Sequence, residues 1–151
     1  MLAGAPASAQ PTRPPKQLRV HTVLFDGVEE QDFAGPVEVL GIIARQHHVK
    51  QSFVTADGPR TVTTAHGMDI TVRTPWSPRS ADVIVVPGGG LGRGSGVDEE
   101  IRRGVLPRAL ASARRPDLIT ASVCTGGIPA VRRQDHHWTA LYDAPRREER
   151  P

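Results

Sequence analysis

The sequence predicts an α/β protein built on an open, mostly parallel β-sheet with helices on both faces, and three observations carry that prediction. From Leu18 onward, short apolar and β-branched runs alternate with longer stretches of helical periodicity. Two of those runs, ADVIVV and LITASV, lead straight into small-residue turns. The unusual residues follow the strands: Asp32 after the first, Gly88–Gly90 after a central one and Cys124 after the next. The carboxyl ends of the strands are where open parallel sheets bind their ligands.

Taken in order, LRVHTVLF (18–25) reads as a first buried strand. GPVEVLGIIAR (35–45) then reads as a helix, with Pro36 at its first position and Val37, Leu40, Ile43 and Ala44 at helical spacing. VKQSFVTA (49–56) makes a second strand, and TVTT with MDITVR forms a hairpin around Ala65-His66-Gly67. ADVIVVPGGG (81–90) is a buried strand running into glycines. VDEEIRRGVLPRALASARR (97–115) is expected as one helix kinked near Pro107. A last strand precedes Cys124, and a short helix is expected to start at Thr125.

The 151 residues suffice for one domain. Residues 1–17 are Ala/Pro-rich, lack an apolar face and are expected to be disordered. Their ASA resembles a small-residue cleavage site, but no basic region or adequate apolar run precedes it, so a cytoplasmic location is expected. A periplasmic one requires a start further upstream. No segment has membrane-spanning length. The net charge is +3, yet the arginines are scattered as pairs (Arg102–Arg103, Arg114–Arg115, Arg132–Arg133, Arg146–Arg147) without aromatic interleaving or a recognition motif. That pattern argues for solvated surface charge and against nucleic acid. A single cysteine excludes an internal disulfide framework and suits a reducing compartment.

That cysteine lies in Ser122-Val123-Cys124-Thr125-Gly126, with small side chains two residues to either side. The spacing fits a nucleophile elbow with sulfur in place of oxygen, a sharp strand-to-helix turn that forces its central residue into a strained backbone and out into the open. A helix starting at Thr125 aims its free N–H groups at the sulfur. A lone cysteine is otherwise a small core residue. The glycines of VVPGGG fit neither a phosphate loop nor GxGxxG, and Gly88, Gly89 and Gly90 read either as a plain turn or as N–H donors for a developing oxyanion. Among the acids Asp26, Glu29, Glu30, Asp32 and Glu38, most read as surface or helix-start groups. Asp32 is placed either to cap the following helix or to aim into the site, and Glu38 to face the sulfur. His21, His47, His48, His66, His136 and His137 show no metal-ligand spacing, so neither a metal nor a cofactor is expected. Only His136 and His137 lie downstream of Cys124, where a histidine base would serve it.

VLFDGVEEQDFAGPVEVL, ADVIVVPGGG, ITASVCTGG and HHWTAL together resemble the ThiJ/PfpI superfamily, of the class I glutamine amidotransferase-like fold, and within it the isonitrile hydratase-like branch. The resemblance covers roughly residues 20–140 and implies a flavodoxin-like three-layer sandwich over 18–143, followed by a charged tail, 144–151. It also implies Cys124 as nucleophile, Asp32 as the acid/base carboxylate and Thr125 as a hydrogen-bonding partner, acting on a small-molecule substrate. Thr125 where a histidine would stand argues against the peptidase-like branch. Two departures are expected to matter: the short GIPAVRRQD with Pro129 after the elbow, and C-terminal elements that are lacking after Asp143. A sheet without its closing elements exposes apolar surface, so a homodimer is expected. The leading expectation is hydration of an isonitrile to an N-substituted formamide. The alternatives are a small-molecule-binding domain of the transcription-regulator type and an inactive truncated homologue.

Overall fold

A computed structural model describes residues 16–131. The chain runs β1 (Leu18–Val23), α1 (Glu30–Ile43), β2 (Val49–Val54), β3 (Arg60–Thr63), β4 (Asp69–Val72), β5 (Val83–Val86), α2 (Gly96–Arg103), α3 (Val105–Ala113), β6 (Ile119–Ser122) and α4 (Gly127–Val131). Expectations for the first fifteen residues, for His136 and His137 and for the tail lie outside the described residues.

The central sheet has the order β2-β1-β5-β6, and every pairing in it is parallel. From β1 the chain crosses outward to β2 through α1, and from β5 it crosses the other way to β6 through α2 and α3. Right-handed crossovers that run in opposite directions put their helices on opposite faces, which is the three-layer arrangement. The order reverses between β1 and β5, so a crevice opens beyond their carboxyl ends.

The interior strands read as continuous apolar runs because both their faces are covered. Val20, His21, Thr22 and Val23 of β1 are all buried, as are Ile84, Val85 and Val86 of β5. Phe25, Leu24, Ile84 and Leu106 are the largest fully buried side chains, and each contributes about 1.5–3 kcal/mol of hydrophobic stabilisation. His21 sits among them with no partner at Nδ1. Burial pushes its pKa down, which keeps the ring neutral.

Both long helices differ from expectation. α1 begins at Glu30 and not at Gly35, and Pro36 lies inside it. The chain turns helical as soon as it leaves the β1 loop, so proline falls in the second turn, where it has no N–H to give the Asp32 carbonyl. The expected single helix 97–115 is two, divided at Gly104 and not kinked at Pro107. Gly104 takes the left-handed conformation (φ 69) and donates to Glu100 O at 2.9 Å, closing α2 in the manner of a glycine cap. Pro107 is the third residue of α3, where its missing N–H would have had no intrahelical partner. The strands are also shorter than expected: β1 ends at Val23, β2 at Val54 and β5 at Val86.

The β3–β4 hairpin lies off the sheet and is tied to it by charge. Arg60 bridges Asp26 (2.8 Å) and Asp57 (3.0 Å), while Arg103 of α2 bridges Asp57 (2.7 Å) and the buried Glu100 (2.6 Å). No helix among the described residues is long and apolar enough to cross a membrane.

Candidate functional site

Three segments meet at the reversal of strand order: the loop from β1 into α1, the glycine loop after β5, and the turn after β6. The last carries the cysteine. β6 pairs with β5 up to Ser122, and Val123 N–H continues onto Val86 O at 3.0 Å. The chain then reverses through a 3₁₀ turn, Cys124–Gly126, before the five residues of α4. A helix starting at Thr125 is thus replaced by a tighter turn. Gly126 explains the sharpness, because a Cβ there would run into Val86 O and lie 2.6 Å from Pro87 O. Cys124 at the apex has φ 51 and is the only non-glycine residue with positive φ among those described. Its side chain is exposed. Strained backbone and outward thiol are together the geometry of an elbow.

Asp32, from α1, and Thr125, in this turn, both bond to the glycine loop. Asp32 Oδ2 accepts the Gly88 N–H at 3.1 Å, and the buried Thr125 accepts the Gly89 N–H at its hydroxyl, 3.2 Å. Gly88 lies between them. A Cβ on it would press on Asp32 Oδ2 and lie 2.8 Å from Thr125 Oγ1 and 3.0 Å from Thr125 N. Both side chains therefore converge on one point of the glycine loop, and Thr125 is the residue that follows Cys124.

Of the two readings left open for Asp32, capping and aiming inward, the first does not hold. The cap position of α1 is Glu29, which makes no side-chain cap bond, and Asp32 is a residue of the first turn whose carboxylate reaches across to the glycine loop. The glycine loop holds these side chains with the very N–H groups that an oxyanion would need from Gly88 and Gly89. Gly90 adopts φ 78. Glu38 is not brought to the elbow: it is exposed, and it lies about a third of a turn round α1 from Asp32 and nearly two turns along it.

The first turn of α1 carries a second cluster, which residue-by-residue reading assigned to ordinary surface charge. Glu30 accepts from Thr64 Oγ1, from the His66 backbone N–H at 3.0 Å, and lies 2.6 Å from His66 Nδ1. The Thr64 and His66 hydrogen bonds hold the Glu30 carboxyl down to about 2. Glu30, with Glu29 behind it, pushes the exposed His66 imidazole up. Ligand atoms of Glu29, Glu30 and His66 lie within 4.8 Å of one another, but both Glu30 oxygens already serve the hairpin, so the group is a clamp between α1 and the β3–β4 turn. Its signal was present as a histidine in a tight turn and a doubled glutamate, 36 residues apart.

The comparisons with known proteins agree with this architecture. A two-domain protein from Anabaena variabilis, containing DJ-1/ThiJ/PfpI-like and ferritin-like domains, superposes with a TM-score of 0.58 at 18% identity, over 75% of this chain and 31% of that one. DJ-1beta of Drosophila melanogaster gives 0.55 at 20% identity, over 76% of this chain and 60% of its own. A ThiJ/PfpI family protein from Pseudomonas syringae gives 0.58 at 20% identity, over 82% and 52%. The chain thus spans less than two thirds of each of these proteins, and at such identities the likeness is one of fold. No curated protein matches the sequence. The model of the DJ-1/PfpI family matches residues 18–133, and the chain belongs to that family.

Proposed function

We propose that the chain is a cysteine-dependent enzyme that hydrates a small electrophilic carbon, of the isonitrile hydratase type. The observation that supports this most is the convergence of Asp32 and Thr125 on Gly88, next to an exposed Cys124 held at φ 51. In this reading the Cys124 thiolate forms a bond to the terminal isonitrile carbon, which takes up a proton by way of Asp32 to give a thioimidate. Water then adds to that carbon, giving its proton to the Asp32 carboxylate. The C–S bond breaks, the thiolate leaves, and the product tautomerises to the N-substituted formamide. One water is consumed and both protein groups are restored. Thr125 and the glycine loop fix the turn on which the sulfur stands. A single free cysteine fits a reducing, cytoplasmic setting.

Replacing Cys124 by serine keeps the shape and supplies a poor nucleophile at neutral pH, so turnover of an isonitrile to its formamide disappears while the fold persists. Asp32→Asn keeps the hydrogen bond to Gly88 and cannot exchange a proton, which lowers turnover by about 10²–10⁴-fold. Thr125→Val costs less than either. Full turnover in Cys124→Ser overturns the reading. A second copy is the partner we expect for the face of α1 that leaves Val39, Ile42 and Ile43 exposed, and a well-folded monomer in sedimentation at micromolar concentration removes that expectation.

A further inference from the structure

The first turn of α1 carries Asp32 and is poorly held by its own helix. The cap position makes no side-chain bond to the free N–H groups, and Pro36 leaves the Asp32 carbonyl without its intrahelical donor. Asp32 N–H reaches back to Glu29 O at 3.2 Å, and the other ties come from outside. On the sheet side, Glu29 N–H donates to Gly88 O at 3.0 Å and Gly88 N–H donates to Asp32. On the other side is the hairpin. Gly27 N–H donates to Thr63 O at 2.8 Å and Ala65 N–H to Val28 O at 2.9 Å, so the loop entering α1 runs alongside the hairpin as a short extra pairing. Thr63 N–H donates to Asp26 Oδ1 at 3.0 Å at one end of this pairing, and Glu30 gathers Thr64 and His66 at the other. Thr64 Oγ1 in turn accepts the Met68 N–H at 2.9 Å, which makes the hairpin turn rigid where Glu30 grips it.

We propose that Glu30 and His66 are positioning residues: through them the β3–β4 turn holds the first turn of α1 so that the Asp32 carboxylate stays on the Gly88 N–H. The segment 26–32, the loop and the first turn of α1, is then the middle layer between hairpin and glycine loop, and the hairpin is part of the site's scaffold although none of its described side chains bonds to Asp32 or Thr125. The proposal rests on the reading of Asp32 as the acid/base group, and its test uses no substrate.

In the ¹⁵N-labelled full chain, amide exchange of Gly88 reports the Asp32 contact, while that of Leu24, bonded to Val54 O at 2.8 Å, reports the sheet alone. Glu30→Ala removes an ionised acceptor of three donors, and Gly88 exchange is expected to quicken about tenfold or more with Leu24 unchanged. Glu30→Gln keeps an acceptor oxygen and restores most of the protection. His66→Ala quickens Gly88 by about threefold and, as a change at an exposed side chain, carries the test if Glu30→Ala does not fold. Unchanged Gly88 exchange overturns the proposal, as does equal quickening of Gly88 and Leu24, or a Gln variant no better than Ala. If the chain leaves isonitriles untouched while Gly88 responds as stated, the enzymatic reading falls and the clamp stands. Turnover with an unresponsive Gly88 has the reverse meaning.

Discussion

The two crossovers of the sheet are built on opposite plans. α2 is stabilised by its own sequence: Ser95 caps it through a 3.2 Å bond from Asp98 N–H, Asp98 and Glu99 stand in its first turn, Arg102 and Arg103 in its last, and Gly104 closes it. Together with α3 it buries Val97, Leu106, Leu110 and Ala113. α1 has no cap bond, a proline in its interior, no basic residue in its last turn and Phe33 as its one buried side chain, edge-on to Phe53 at 5.8 Å. α2 meets the glycine loop through Val97 N–H, which donates to Gly89 O at 3.3 Å, but it carries none of Asp32, Cys124 and Thr125 and holds itself. The helix that carries Asp32 is held by what it touches, so its placement answers to the glycine loop and the hairpin before it answers to helix propensity.

Four measurements break or sharpen this contrast. Leu106→Ala opens a cavity in the self-sufficient crossover and is expected to cost about 2–5 kcal/mol in denaturant unfolding. A cost below 1 kcal/mol would show that α3 is not the anchor it looks to be. Ser95→Ala removes the α2 cap for about 1 kcal/mol, and a helix supported by tertiary contacts alone would lose nothing. The α1 clamp differs by depending on pH. Glu30 is held at about 2 against an ordinary 4.5, so its share of stability is full above 4.5 and lost as pH falls through about 2. His66 is raised above 6.5, so its share is full below 6.5 and lost as pH rises through its folded value. The gap in melting temperature between wild type and His66→Gln is therefore widest between pH 4.5 and 6.5 and narrows on either side. A pH-independent gap means that the pair is not ionic. His21 works with the opposite sign: its lowered value makes its stability full above 6.5 and lost as pH falls, so this comparison is made against the variant and not on the wild-type curve alone. The smallest effect belongs to the outer face of α1, where Ile42→Ala changes chain stability by less than about 0.5 kcal/mol.

What could be read from the sequence was what a strand or a turn states locally. The run of β5 is apolar on both faces, β1 and β6 show as short β-branched stretches, the hairpin announces itself by alternation around His66-Gly67, and the small residues about Cys124 require a sharp turn. Pro36 misled because proline is favoured at the start of a helix, whereas here the helix starts at Glu30, five residues before Gly35. Gly104 and Pro107 exchanged roles for a related reason. A proline within a helix's first turn breaks nothing, and a glycine able to adopt positive φ ends the helix before it. The contacts that build the site were not legible. Gly88 with Asp32 spans 56 residues and Glu30 with His66 spans 36, and neither leaves a trace in local periodicity.

The left-handed backbone at Cys124 also bears on inheritance. A cysteine codon becomes a glycine codon by one base change, and glycine is the residue that this conformation favours. Relief of about 1–2 kcal/mol of strain would be offset in part by the greater freedom of glycine in the unfolded chain, so the exchange is close to neutral for folding. Drift therefore has an open, nearly level route away from sulfur at this position. In a lineage that had ceased to use the thiol, glycine should turn up at residue 124 sooner than alanine or serine, which gain no conformational relief.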